Sequence, residues 1–379
     1  MRQTGEGRPL RIAMLGMWGM NVPQRHFGGF ETGFSEIAPR LVKAGHEITI
    51  YCRRGEYEPA WRVPEHKGVK LVYMPSPGGK NFSGLLSTLL AVLHAVFLRR
   101  FDLFFFVNVG MGHHCALARL LGKKVVLNVN GLDWTRAKWG PIGQAYFYSA
   151  AKMAIRVCNR LVTDAWAMQD FYRTHFGKET EMIAYGAYIE DSERPELIAP
   201  YGLERDSYYL IASRLIPENH PETIVDAFLA SGSTKKLVIA GGANYDSPLH
   251  QRLRSLAGDR LVLTGHIDDQ QVIKELHCNC FAYVHGHSVG GTNPALLKAM
   301  GYGNCVLAYS SVFNKEVLSD AGLFWSGQAS LVALMQDMER DPSRAVQMRS
   351  LPRPRITAEY TWEKIARQYD ELFADVASR

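Results

Sequence analysis

His285-Gly286-His287-Ser288-Val289-Gly290-Gly291-Thr292-Asn293-Pro294 leads directly into Ala295-Leu296-Leu297-Lys298-Ala299-Met300-Gly301. The residues before it, Cys280-Phe281-Ala282-Tyr283-Val284, form a short apolar run that reads as a buried strand. The residues after Pro294 carry the apolar spacing of a helix. Adjacent glycines with Thr and Asn at such a junction leave backbone N–H groups beside a positive helix end, an arrangement that holds phosphate. The plainer alternative is an ordinary tight turn.

Working outward, the first half alternates strands and helices. Arg11 to Gly16 reads as a strand, followed by a loop over 17–29 and a helix from Phe30 to Ala44, with Phe34, Ile37, Ala38, Leu41 and Val42 on one face. Gly45 ends it. Further strands are expected at 47–52, 69–74, 102–107 and 123–129. Near-continuous apolar strands separated by helices indicate a parallel sheet covered on both faces. Turn chemistry breaks the pattern between 183 and 207. A second series follows, with strands at 208–212, 237–242, 261–264, 280–284 and 305–308. The expected architecture is α/β: two doubly wound Rossmann-like domains, over 1–190 and 205–355, facing across a cleft at the carboxyl ends of their strands. A C-terminal helix within 356–379 is expected to pack back on the first domain.

At 379 residues the chain suits two domains. Its net charge of +6 fits an anionic small substrate or an anionic membrane surface and argues against nucleic acid. The polar start implies no signal peptide, and the six cysteines include no C-x-x-C pair, so free thiols in a reducing cytoplasm are expected. The longest apolar region, Leu85 to Phe97 followed by Leu98-Arg99-Arg100, falls short of the roughly 18 to 20 residues that span a bilayer. It reads as a core helix. The sharper reading is peripheral membrane contact through Leu85–Arg100, with the arginines at lipid headgroups.

An ordered set of motifs is similar to the retaining nucleotide-sugar glycosyltransferases of GT-B fold, family 4, and within them to the rhamnosyltransferase-like branch. These are Gly28-Gly29-Phe30-Glu31-Thr32; Asn130-Gly131-Leu132-Asp133-Trp134 with Arg136-Ala137-Lys138-Trp139-Gly140; Ser213-Arg214-Leu215-Ile216-Pro217-Glu218-Asn219; the opening stretch; and Asn314-Lys315-Glu316-Val317 with Asp320-Ala321-Gly322. They run from residue 11 to about 325. The resemblance implies a donor site of Arg214, Asn219, Gly241, His287, Ser288, Gly290, Gly291, Thr292, Asn293 and Lys298. Arg214, Gly290 and Gly291 would stabilise the charge that grows on the leaving diphosphate. Asn293 caps the following helix or bonds a sugar hydroxyl. On the acceptor or sugar side stand Gly28, Gly29, Glu31, His113, Asn130 and Asp133. Glu31 either positions a hydroxyl or stabilises a helix dipole, and Trp134 and Trp139 either stack on a ligand or pack. No metal or cofactor is implied, although His285 and His287 have a metal-like spacing.

Two positions depart from the family. Many members carry two glutamates eight positions apart, where this chain has Gly290 and Lys298. The second glutamate accepts ribose hydroxyls, and lysine has no acceptor. The lysine usual a few residues beyond the diphosphate arginine is replaced by Asn219 and His220. The expected function is cytoplasmic transfer of a hexose, with L-rhamnose on dTDP as the leading donor, to a glycan or lipid-linked acceptor in surface polysaccharide assembly. A UDP- or GDP-sugar donor and a non-catalytic binding subunit are the alternatives. A dinucleotide oxidoreductase is disfavoured, since no G-x-G-x-x-G follows the first strand.

Overall fold

The computed structural model describes residues 8–22, 28–77, 79–129, 131–136, 139–242 and 248–379. The chain divides into two compact units, one comprising residues up to Ala184 together with Trp362–Arg379, the other Tyr185–Thr361. In the first unit the order is β1 (Arg11–Leu15), α1 (Gly29–Lys43), β2 (Glu47–Arg53), β3 (Glu65–His66), β4 (Val69–Met74), α2 (Gly79–Leu98), β5 (Leu103–Val107), α3 (Gly112–Leu120), β6 (Lys124–Asn128), α4 (Pro141–Val157), β7 (Arg160–Thr163), α5 (Trp166–Phe176) and β8 (Glu181–Met182). The second unit continues with β9 (Tyr208–Ala212), α6 (Pro221–Ser231), β10 (Lys236–Ala240), α7 (Pro248–Leu256), β11 (Leu261–Gly265), α8 (Gln270–Asn279), β12 (Ala282–His285), α9 (Pro294–Gly301), β13 (Val306–Tyr309), α10 (Val312–Leu318), β14 (Leu323–Trp325), α11 (Gln328–Arg340), α12 (Pro342–Arg349) and α13 (Pro352–Glu359). The last helix, α14 (Trp362–Ser378), belongs to the first unit.

Among the described residues the first sheet runs β3-β4-β2-β1-β5-β6-β7-β8, parallel apart from the β3–β4 pair. The second runs β11-β10-β9-β12-β13-β14, parallel throughout. In each sheet the chain builds outward in one direction from a central strand and then in the other. That reversal lies at β1 in the first unit and between β9 and β12 in the second. Such a switch point leaves a crevice where the two loops part, the place where doubly wound sheets bind ligands.

The cores follow from the strand sequences. Leu103-Phe104-Phe105-Phe106-Val107 has no accessible surface because helices cover both faces. Phe105 meets Phe34 of α1 at 4.9 Å between ring centres, and Tyr369 and Phe373 of α14 at 5.6 and 5.4 Å. Polar ties fix α14 further. His46 Nε2–H donates to Asp370 at 2.7 Å while its Nδ1 accepts from the Leu10 N–H. Arg40 pairs with Glu363 and Arg160 with Asp375. In the second unit Tyr209, Phe228, Leu237, Phe281, Trp325 and Met335 belong to one buried cluster.

The division between units falls at Ala184, at the start of the break read over 183–207, and the rest of that stretch joins the second unit for a local reason. Glu275 on α8 is buried and its carboxylate accepts from Ser192 Oγ, the N–H groups of Glu193 and Arg194, and Asn279 Nδ2. The connecting segment is thereby pinned to the second unit. The segment 356–361 stays there too, since the Ala187 N–H donates to Tyr360 O at 2.7 Å. The apolar helix read over Leu85–Phe97 is α2. It buries Ala91, Val92 and Ala95 but leaves Leu86 and Phe97 40% and 69% exposed. No helix among the described residues is long and apolar enough to cross a membrane.

Burial alone would raise the Glu275 carboxyl, but the hydrogen bonds from Ser192, Glu193, Arg194 and Asn279 outweigh it and hold the group below the usual range. A depressed carboxyl adds stability that is present above the unfolded pKa and lost as pH falls through the folded one. Glu275→Gln is therefore expected to destabilise the protein at pH 7 by about 1–3 kcal/mol. In denaturant titrations the difference from wild type should shrink below pH 4.5. A variant equal to wild type at pH 7 would show that the carboxylate adds nothing.

Candidate functional site

Three strand exits meet at the switch point of the second unit: those of β9, β10 and β12. Gly241 follows β10 with φ +150°, and a Cβ there would lie 2.1 Å from Ser213 O. Only glycine lets the exits of β9 and β10 run this close. After β9 the chain passes Arg214, makes a tight turn over Pro217–Asn219 and enters α6.

Asn219 is the centre of the arrangement. It is buried, and its Nδ2 donates to Arg214 O at 2.7 Å. That bond fixes the amide, so Oδ1 faces His287 Nδ1 at 2.7 Å and the proton there belongs to the histidine. One side chain thus ties the loop after β9 to the loop after β12. Around it, the N–H and Oγ–H of Ser288 both donate to Glu218 O at 3.0 Å. A Cβ on Gly286 would sit 1.9 Å from Asn219 O. His220 takes the left-handed conformation, φ 50°, ahead of Pro221. Its Nδ1–H donates to Gly286 O at 2.8 Å and its ring stacks on Tyr309 at 4.4 Å. These contacts hold a backbone conformation that costs a non-glycine residue of order 1 kcal/mol or more. Below the loop, Asn314 Nδ2 donates to His287 O and Tyr309 O, each at 2.8 Å.

The glycine loop itself turns at Gly290, φ +95°, and buries Gly291 and Thr292. Asn293 caps α9, accepting from the Ala295 N–H at 2.8 Å. Of the two readings for Asn293, capping is the one its geometry fills. Arg214 is exposed, and its guanidinium makes no hydrogen bond or ion pair among the described residues. Lys298 reaches Gln270 Oε1 at 2.8 Å, and burial lowers its ammonium pKa against the charge of Glu190. His285 lies buried in β12. Burial and the neighbouring His287 bring it down to about 3, so it is neutral at pH 7. The described residues contain no group of three or more His, Cys, Asp or Glu side chains able to hold a metal ion.

In the first unit the sequence-predicted residues stand on the segments that follow β1, β5 and β6. Gly28 and Gly29 stand at the start of α1. Glu31 is buried, and its Oε1 accepts from the Trp18 N–H at 2.8 Å, holding the loop after β1. Burial raises its carboxyl. His113 Nε2 lies 3.1 Å from Ser149 Oγ on α4. Asp133 is buried, pairs with Arg136 at 3.1 Å and accepts from Asn108 Nδ2 at 3.2 Å. Trp134 packs among Tyr148, Phe171 and Phe176. Asn130 lies outside the described residues. Sequence reasoning passed over Asn108, His220 and Asn314 as structural members. The signal for His220 was its place between a buried asparagine and Pro221.

Residues 27–186 match the family model for Glycosyltransferase Family 4, and 193–350 match that for Glycosyl transferases group 1. No curated protein matches the chain in sequence. Among solved structures, sucrose-phosphate synthase from Thermosynechococcus elongatus is similar at TM-score 0.83 and 17% identity, covering 97% of this chain and 99% of that one. Anabaena HepE in complex with UDP and glucose gives 0.78 and 17%, covering 97% and 100%. The catalytic domain of starch synthase IV from Arabidopsis thaliana, bound to ADP and acarbose, gives 0.74 and 13%, covering 98% and 100%. At these identities the likeness concerns the fold.

Gly286→Ala is expected to lower the unfolding temperature by several degrees, since the new methyl meets backbone rather than a movable side chain. Gly242→Ala is the control: its Cβ meets nothing within 4 Å. Equal melting temperatures for the two variants would contradict the close approach of the β9 and β12 loops.

Proposed function

We propose that this chain, which belongs to the GT-B glycosyltransferases of the family 4 type, moves a hexose from a nucleoside-diphosphate donor bound at the β9–β12 switch point. The leading donor is dTDP-L-rhamnose. The first unit is the acceptor side, and the acceptor is a glycan or lipid-linked sugar in surface polysaccharide assembly. The observation that carries this reading is the Asn219 bridge, which joins the loop bearing the unpaired Arg214 to the glycine loop.

As the bond between the anomeric carbon and the diphosphate oxygen breaks, negative charge grows on the diphosphate. A guanidinium fork and backbone N–H groups fixed in place before the reaction stabilise that charge at little reorganisation cost. The acceptor hydroxyl attacks the anomeric carbon from the face the diphosphate leaves, and its proton passes to a diphosphate oxygen. No protein nucleophile is assigned. UDP in HepE and ADP in starch synthase IV, bound by proteins of the same fold, support a nucleoside diphosphate as the leaving group. Lys298, engaged with Gln270, supports dTDP, because a deoxyribose asks less of a position without an acceptor. UDP- or GDP-linked sugars are the runner-up donors, and Lys298 is also the one feature favouring a binding subunit without activity.

Thermal stabilisation by dTDP, UDP, GDP, ADP and NAD tests the reading. Selective stabilisation by one nucleoside diphosphate, greatest for dTDP, is expected. Arg214→Ala should keep the fold and lower kcat by about 10²–10³-fold in a transfer assay. No response to any nucleotide would transfer the case to the binding subunit.

The exposed Leu86 and Phe97 of α2, followed by exposed Arg99 and Arg100, support peripheral contact with the anionic inner face of a membrane. Sedimentation with anionic vesicles at low salt is expected, falling as salt rises. Absence of sedimentation at low salt would remove the membrane contact.

A further inference from the structure

Arg53 ends β2 in the first unit. β2 pairs in parallel with β1 and β4, so the three strands leave the sheet at one edge, beside the switch point at β1. The Arg53 N–H donates to Trp18 O at 2.8 Å, which joins the exits of β1 and β2. The guanidinium carbon lies 6.0 Å from the centre of the Trp18 ring. On its other side is Gly84 of α2, where a Cβ would stand 2.6 Å from Nη2. A glycine at that helical position makes the room the guanidinium occupies.

The Arg53 Nε is buried without a hydrogen-bond partner. Among the described residues its guanidinium forms no ion pair or hydrogen bond. Burial works against its charge, and Glu31 and Glu56 favour it through space without reaching ion-pair distance. Arginine stays protonated in proteins, and an uncompensated buried charge is costly. Other buried polar groups of this edge have local partners: Glu31 holds the Trp18 N–H, and Asp133 holds Arg136 and Asn108. Among the described residues Arg53 has no such partner.

We propose that Arg53 recognises an anionic group, a phosphate or a carboxylate, on the acceptor, bound in the first unit beside Trp18. The proposal rests on the reading of that unit as the acceptor side. A planar fork of donors suits either anion bidentately, and the Trp18 ring offers an apolar face to the adjoining sugar or lipid. The acceptor is then an acidic or phosphorylated molecule rather than a neutral glycan.

The test uses the full chain, with the donor site saturated by whichever nucleoside diphosphate stabilises it most. Inorganic phosphate, glucuronate and, as neutral control, glucose are titrated by calorimetry into wild type, Arg53→Gln and Arg53→Lys. Phosphate or glucuronate is expected to bind wild type more tightly than glucose. Arg53→Gln should weaken the anion about 10- to 100-fold, and Arg53→Lys should restore part of the loss. Nucleotide affinity should be equal in all three. The tighter anion tells a phosphorylated acceptor from an acidic sugar. Should Arg53→Gln not fold, Gly84→Ala displaces the guanidinium while keeping its charge, and is expected to weaken the anion as well. Anion affinity unchanged in these variants, or no anion binding to wild type, overturns the proposal. Failure of every nucleotide to bind instead overturns the donor-site reading and leaves the anion result standing.

Discussion

Two loops that leave neighbouring strands in opposite directions have no reason to stay in register unless something spans the gap. In this protein the Asn219 amide does so, donating from Nδ2 to Arg214 O and accepting at Oδ1 from the His287 Nδ1–H. Neither loop is regular, so neither has a ladder of its own to fix it. The flanking bonds, Ser288 to Glu218 and His220 to Gly286, close the seam on either side. A buried amide with both ends used adds specificity as well as energy, because an apolar residue of the same size would leave Arg214 O and His287 without their partner. The exposed guanidinium of Arg214 starts from a backbone that the Asn219 amide holds.

The first unit uses its polar groups differently. Glu31, Asp133 and His113, residue types that suggest chemistry, are bonded to the protein itself. Each braces an irregular segment: the loop after β1, the turn at 133–135, and the junction of α3 with α4. These bonds brace the described residues at the exits of β1, β5 and β6.

The fold was legible because its signals are local. Leu103-Phe104-Phe105-Phe106-Val107 can only be a strand covered on both faces, and the chain supplies helices to cover it. The glycine loop was legible for the same reason, since its residues are consecutive. Other features depend on partners far apart in sequence. Glu275 gathers the segment at 192–194 from 81 or more residues away, and so ties it to the second unit. Nothing in the neighbourhood of Arg53 announces that Gly84 is placed to admit it. Asn108, at φ 75°, is a single polar residue after an apolar strand and reads as any loop residue would. Sequence order conveys pattern, but the pairing of distant polar groups is decided by packing.

The chain enters the second unit after Ala184 and returns to the first at Trp362. Tyr369 and Phe373, which cover Phe105, are therefore made only after every strand of the second unit has left the ribosome. Proteins commonly fold their N-terminal domain first during synthesis. This one cannot complete that order: its first sheet must wait, with one aromatic face uncovered, while the later unit acquires all its own elements. The interval exposes apolar surface in the nascent chain, and its length is set by translation speed rather than by any property of the finished fold.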